Sequence, residues 1–412
     1  MQEDIVAKLD LSDKYFEERF FRTEEDLWGD LKRETKMQVK RLIETSMEFQ
    51  VNDLIGSSRW QHNAARPTYR NGHYPRSLLS SYGHISNIMV PRVRDGSIEF
   101  KILKKYQRRA KDVDGVILEM FLSGVSTRRV EEVLRPLVGV GSVSAGLVSK
   151  VTKVLDKQVK GFHYRELKDR YEYLILDGIY LNAKSPVYKK RRCILVAYGI
   201  WIEGGEIRRE LIDFHIAPKG ESENAWNRFL GDLYHRGIEG EDIELIVIDG
   251  NKGLYKSVDL IYPHAKVQRC WAHKLRNVSN KVPRKLQDEC ISQARKIYNA
   301  DSGGEAVKEF KKWAKVWRPV VPDAVRCLEE DLEQLLSFYE CRKDLWKKLR
   351  TTNAIERSFR EVRRRTRPMS CFQNRESVER IIFAIFYRQN IRWGNDGLNY
   401  LENSLYEITQ FC

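Results

Sequence analysis

At 412 residues the chain exceeds what one ordinary hydrophobic core accommodates, and with 42% apolar and 11% aromatic residues it can fill two to four domains. Its longest apolar run, Cys193–Ile202, is ten residues, well short of the roughly 20 a membrane helix needs. The first residues, MQEDIVAKLD, are acidic where a secretory signal is basic, and the seven cysteines form no close pairs, so neither secretion nor a disulfide framework is expected. The formal charge of +15 is segregated: residues 61–110 hold ten Lys/Arg against two Asp/Glu, and residues 341–370 hold eleven against three, leaving the rest of the chain near neutral. Such segregation suits a protein that grips phosphates at two places, although two solvated basic faces would look alike.

In chain order, residues 1–60 predict a helical region, with apolar positions at helical spacing and no proline before Pro67. Residues 61–110 read as a basic, partly extended connector, with short extended pieces around the Asp95-Gly96 turn. Residues 111–165 carry the pattern helix, short helix, glycine turn, helix. Ser126 and Ser144 are placed to cap the second and third helices. This fits a helix-turn-helix DNA-binding domain, whose last helix would bring Ser142, Ser144 and Lys150 near bases or phosphates. A three-helix packing unit with no role in DNA binding would give the same pattern.

From residue 172 the periodicity changes. EYLILDGIYL, RRCILVAYGIWI and EIRRELIDFHIA are three strand-like runs, followed by the amphipathic helix SENAWNRFLGDLYHRG and the strands IELIVIDG and AKVQRC. That order predicts an α/β fold with a mixed sheet covered by helices. A catalytic core over 166–284 and 349–400 would then be interrupted by an all-helical insertion at 285–348.

Asp177 ends the apolar run YLIL and Asp249 ends LIVI, each followed by glycine. A carboxylate at the edge of a buried strand costs several kcal/mol unless it is paired or binds a metal, so two of them ask for an explanation. A third acid, Glu356, lies at the border of the apolar stripe Ile355, Phe359, Val362. It could lean over the sheet, or form an ordinary i, i+4 ion pair with Arg360. Three carboxylates would suit two Mg²⁺ or Mn²⁺ ions about 4 Å apart, the arrangement that activates a water or 3′-hydroxyl against a phosphodiester. The adjoining Arg357, Arg360, Arg363, Arg364, Arg365 and Arg367 would hold flanking phosphates.

The order LILDGIYL, VIDGNKGL, QRCWAHKLRNV, LRTTNAIERSFREVRRRTR resembles the mutator-type bacterial insertion-sequence transposases over roughly residues 90–395. The resemblance implies a ribonuclease-H-like core with an acidic triad falling on Asp177, Asp249 and Glu356, separated by 72 and 107 residues. It places the family's Cys-x-x-His signature on Cys270 and His273 and its context around the glutamate on Asn353 and Arg357; as helix-start positions facing the catalytic centre, His273 would lie near a scissile phosphate and Cys270, like Asn353, at the DNA. It implies binding of terminal inverted repeats in double-stranded DNA, cleavage at the element's ends, joining of 3′-hydroxyls to target DNA, a homodimer or larger assembly, and a bacterial cytoplasm near the nucleoid. Cys-x-x-His is half a zinc site without a second pair nearby. Trp313 and Trp317, four apart on an insertion helix, fit core packing or stacking on an unpaired base. The segment YECRKDLWKKLRTTN lacks the Phe-Pro that often precedes this motif in relatives. A DNA-binding regulator that no longer cuts, and a stand-alone nuclease, are the competing functions; no G-x-x-x-x-G-K-[ST] loop supports an ATPase.

Overall fold

The computed structural model describes residues 23–61, 67–139, 143–184, 189–367 and 375–394. The chain divides into two compact units: one built from residues up to Phe121 with Thr127–Val151, the other from Leu122–Ser126 with Thr152 onward.

The first unit opens with a long helix, α1 (Glu24–Ile55), started by the Thr23 side chain accepting from the Asp26 amide and stopped by Gly56 in the left-handed region. Ile43, Met47, Val51 and Ile55 recur every fourth residue along it and are buried. They share a core with Leu78, Ile85, Ile88 and Val90 of an antiparallel hairpin, β1 (Arg70–Ser80) and β2 (Gly83–Val93). The expected connector is therefore in part a folded hairpin. Its turn is Ser81-Tyr82, closed by the Ser80–Gly83 pair, whereas Asp95-Gly96 lies beyond the end of β2. Helices α2 (Lys111–Leu122), α3 (Thr127–Val138) and α4 (Ala145–Thr152) follow. Ser144 caps α4, its Oγ accepting from the Leu147 amide at 3.2 Å. Val130, Leu134 and Val138 form the buried stripe of α3.

The second unit is mixed α/β. After α5 (Leu155–Tyr164) come β3 (Tyr173–Lys184), β4 (Lys189–Glu203) and β5 (Glu206–Ala217), then α6 (Glu223–His235), β6 (Leu245–Ile248), α7 (Lys252–Ile261) and β7 (Lys266–Arg269). The five strands form one sheet in the order β5-β4-β3-β6-β7. The β3–β4 and β4–β5 pairs are antiparallel, the β3–β6 and β6–β7 pairs parallel. The short β6, LIVI, is buried throughout, as a parallel strand covered on both faces must be. On one face Leu174, Leu176, Leu195 and Ile212 pack with Trp226, Phe229, Leu230, Leu254 and Val258 of α6 and α7.

Beyond β7, α8 (Trp271–Ser279) leads into a helical stretch: α9 (Arg284–Ala294), α10 (Gly303–Trp317), α11 (Pro322–Glu329), α12 (Leu332–Leu336) and α13 (Trp346–Leu349). Trp313 and Trp317 are buried, their indole N–H groups donating to the Cys290 carbonyl and to Gln293 Oε1. Two helices close the unit, α14 (Asn353–Thr366) and α15 (Arg375–Arg392). They pack on the sheet at β3 and β5 respectively. Among the described residues no helix is long and apolar enough to cross a membrane.

Candidate active site

Side chains alternate along β3, so Leu174 and Leu176 enter the core under α6 and α7 while Asp177 faces the opposite side. On the neighbouring parallel strand Tyr173 pairs with Leu245 and Ile175 with Val247. Continuing that register puts Asp177 level with Asp249, at the carboxyl end of the parallel pair, where adjacent strands are about 4.8 Å apart. Gly250, φ +101°, then turns the chain away, and Asn251 caps α7. The glycine after Asp249 is needed because a residue with a Cβ is strained in that conformation.

Asp177 is 5% exposed. Burial pushes its carboxyl up to about 7, with neighbouring His273 opposing, Asp249 reinforcing, and the Gly178 amide and Thr352 hydroxyl opposing. Each aspartate is turned toward backbone close by: Asp177 Oδ1 accepts from Gly178 N at 2.8 Å and Asp249 Oδ1 from Asn251 N at 2.9 Å.

His273 stands in the first turn of α8, half-buried. Cys270 beside it, opposed by burial, and the carboxylates of Asp177 and Asp249 hold the imidazole above its ordinary value. Its Nδ1 is buried and completes no hydrogen bond. Cys270 is 1% exposed and structural in position: its sulfur accepts from Thr352 N at 3.3 Å and lies 3.6 Å from the Thr352 hydroxyl. With Trp271 N donating to Arg350 O at 3.0 Å, these contacts dock the segment before α14 onto the start of α8. Cys270 was expected at the DNA; burial removes it from any such contact.

Glu356 follows the fully buried Thr352 by one helical turn, its amide donating to Thr352 O at 3.0 Å, so it lies on the same side of α14 as the hydroxyl that reaches Asp177. It forms no ion pair with Arg360 among the described residues. Nor do any three His, Cys, Asp or Glu side chains among those residues gather closely enough to hold a metal ion. The expected cage is therefore not drawn together. A buried, poorly compensated Asp177 beside a second carboxylate is nonetheless a hard-oxygen donor pair that fits a divalent cation.

Sequence reading missed Glu221. It precedes Ser222, the cap of α6, and accepts from Trp226 Nε1 at 3.1 Å. Burial first and then Asp249 raise its carboxyl, against Trp226 and His273. A Cβ on Gly178 would stand 3.1 Å from Glu221 Oε2, so the glycine after Asp177 makes room for a fourth acid. No apolar run marks Glu221 in the chain; only the fold brings it here.

Along α14, Asn353, Arg357, Arg360, Arg363, Arg364 and Arg367 are exposed, Arg364 pairing with Glu361 at 2.7 Å. Arg365 is not among them. It is buried, bonded to Glu361 at 2.8 Å and to the Leu122 carbonyl, which fits it for structure and not for phosphate contact. Trp317 is likewise committed to the helical core and offers no face for stacking. Ser144 and Lys150 are exposed on α4, while Ser142 lies outside the described residues. A cavity of roughly 510 Å³ adjoins Asn353, lined by Arg276, Arg295, Lys347 and Arg350 with Asp288 as its sole acid.

The family model described as "Transposase, Mutator family" matches residues 20–395. The chain belongs to the Mutator family of transposases. It is 32% identical over 355 residues to the transposase for insertion sequence element ISRM5 of Rhizobium meliloti, covering 86% of this chain and 87% of that one. It is 30% identical over 366 residues to the transposase for insertion sequence element IS905 of Lactococcus lactis, with 87% and 91% covered. To the transposase for IS256 in transposon Tn4001 of Staphylococcus aureus it is 31% identical over 363 residues, with 84% and 87% covered. For this Mutator-family chain the matched region contains every element around the two aspartates, His273, Glu221 and Glu356.

Proposed function

We propose that this Mutator-family protein is the transposase of an insertion sequence, binding terminal inverted repeats, cleaving at the element's ends and joining the freed 3′-hydroxyls to target DNA. The carrying observation is Asp177, buried within β3, with Asp249 directly after the adjacent parallel strand β6, where the β3–β6 register continued by two residues brings the two level. Three antiparallel strands continued by two parallel ones, with helices on both faces, support a ribonuclease-H-like core for 166–284 and 349–400, with 285–348 as a helical insertion.

In this reading Asp177, Asp249 and Glu356 would hold divalent cations, Mg²⁺ or Mn²⁺, which when bound supply Lewis-acid activation of the attacking oxygen and stabilisation of the leaving one. The Thr352 hydroxyl favours the charged form of Asp177, and Cys270 fixes Thr352. His273, its pKa raised first by Cys270 and then by the two aspartates, would offer a hydrogen-bond donor to a phosphate oxygen. The exposed arginines of α14 and the basic cavity beside Asn353 would grip the flanking backbone. Residues 111–165 would read the repeat, with Ser144 and Lys150 on the exposed side of α4. Two ends must be held together, so at least two copies would act on the DNA.

The test is incubation of the purified protein with a plasmid carrying the DNA that flanks its reading frame, in Mg²⁺ or Mn²⁺. Nicks at the element boundary that disappear in Asp177→Asn, Asp249→Asn and Glu356→Gln, with DNA binding retained, are expected. A protein that binds those ends and leaves them intact would instead be a regulator.

A further inference from the structure

The basic hairpin of the first unit contains a built site. Register slips between Arg76 and Leu78 on β1, a bulge that re-aims the strand's side chains. Arg76 turns onto the loop that follows the hairpin, its guanidinium donating to the carbonyls of Lys104, at 3.1 Å, and Gln107. Gln107 fastens the same loop from within, accepting from Lys104 N at 3.0 Å and donating to Arg109 O at 2.8 Å. Leu79 anchors its far end, donating to Arg108 O at 2.9 Å and accepting from Ala110 N at 2.7 Å.

Within this clamp Tyr106 is held at φ +66° with its side chain 82% exposed. A non-glycine residue in the left-handed region is strained, and such strain persists only where the surroundings enforce it. Burial does not explain a tyrosine there, since the ring points into solvent. Lys105 Nζ lies 5.4 Å from the ring centroid. Together with Tyr74, His84 and Arg108 these residues line a cleft of roughly 510 Å³ that contains no Asp or Glu. Lys105 and Arg108 have no carboxylate partner among the described residues.

We infer that this cleft is a DNA-backbone site, in which Lys105 and Arg108 take phosphates and the Tyr106 ring lies against the nucleotide between them. Exposed cations without a carboxylate partner suit phosphates, and an exposed aromatic face suits a base or its sugar. The volume exceeds what a single phosphate fills. This rests on DNA being the substrate, and it adds a contact separate from the acidic centre.

The experiment is fluorescence anisotropy of the full chain on a labelled duplex of the DNA flanking its reading frame, across KCl concentrations. In Lys105→Gln/Arg108→Gln the slope of log affinity against log salt should be shallower by about 1.8, the value for two lost phosphate contacts. Tyr106→Gly should weaken binding severalfold while leaving the melting temperature equal or higher, because glycine accepts the positive φ. Wild-type slope and affinity in both variants, with the wild type binding, would overturn the site and leave the transposase reading standing. A wild type that binds no DNA would overturn both.

Discussion

Replacing Asp177 by Asn should stabilise the metal-free protein at alkaline pH. The carboxyl sits 5% exposed and is raised from 3.8 to about 7. A raised acid binds its proton more tightly folded than unfolded, so its contribution is full below pH 4 and is lost as pH climbs to about 7. At about 1.4 kcal/mol for each tenfold change in a protonation equilibrium, ~4 kcal/mol is lost by pH 8. An isosteric amide carries no such loss; because it also removes an anion from beside His273, this figure is an upper bound. For a unit of this size it corresponds to a melting shift on the order of 10 °C. Melting in EDTA at pH 4.5 and pH 8 measures it: Asp177→Asn should exceed the wild type only at pH 8, and Mn²⁺ should then raise the wild type but not the variant. An Asn variant no more stable at pH 8 than at pH 4.5, relative to wild type, would refute a charged Asp177 as the strained group.

Arg365→Ala should lower stability by about 1–3 kcal/mol, since it removes a buried side chain and the guanidinium donor of the Leu122 carbonyl, while Glu361 keeps Arg364. Arg360→Gln/Arg363→Gln, on the exposed side of α14, should instead leave melting unchanged and flatten the salt dependence of DNA affinity; urea titration and anisotropy separate the two. Trp317→Ala should cost about 3–5 kcal/mol by core truncation with unchanged DNA affinity of the folded fraction; a binding defect at full folding would restore the stacking role. Glu221→Gln should weaken Mn²⁺ binding by the metal-free protein, measured calorimetrically, if the fourth acid adds to the field at Asp249; unaltered binding would confine it to holding Trp226.

Asp177 and Asp249 could be found in one dimension because a charge directly after an apolar run is conspicuous among hydrophobic neighbours, and their separation along the chain equals the register of the parallel pair. Three extended runs, a helix and two more strands made the mixed α/β sheet of the second unit legible, whereas its strand order came only from the fold. The hairpin was missed because its turn, Ser81-Tyr82, lacks the Asn-Gly or Asp-Gly signal, while Asp95-Gly96 has that signal and sits beyond the strand. The arginine run looked uniform because composition does not reveal which side of a helix meets the core; of Arg363, Arg364 and Arg365, successive residues 100° apart, only the third turns inward. Glu221, Thr352 and Cys270 acquired their places from packing between elements far apart in the chain. Local periodicity determined which segments are strands and helices and marked the two aspartates; the surroundings of those acids were decided by tertiary contacts, because burial and electrostatic field depend on neighbours that sequence distance does not encode.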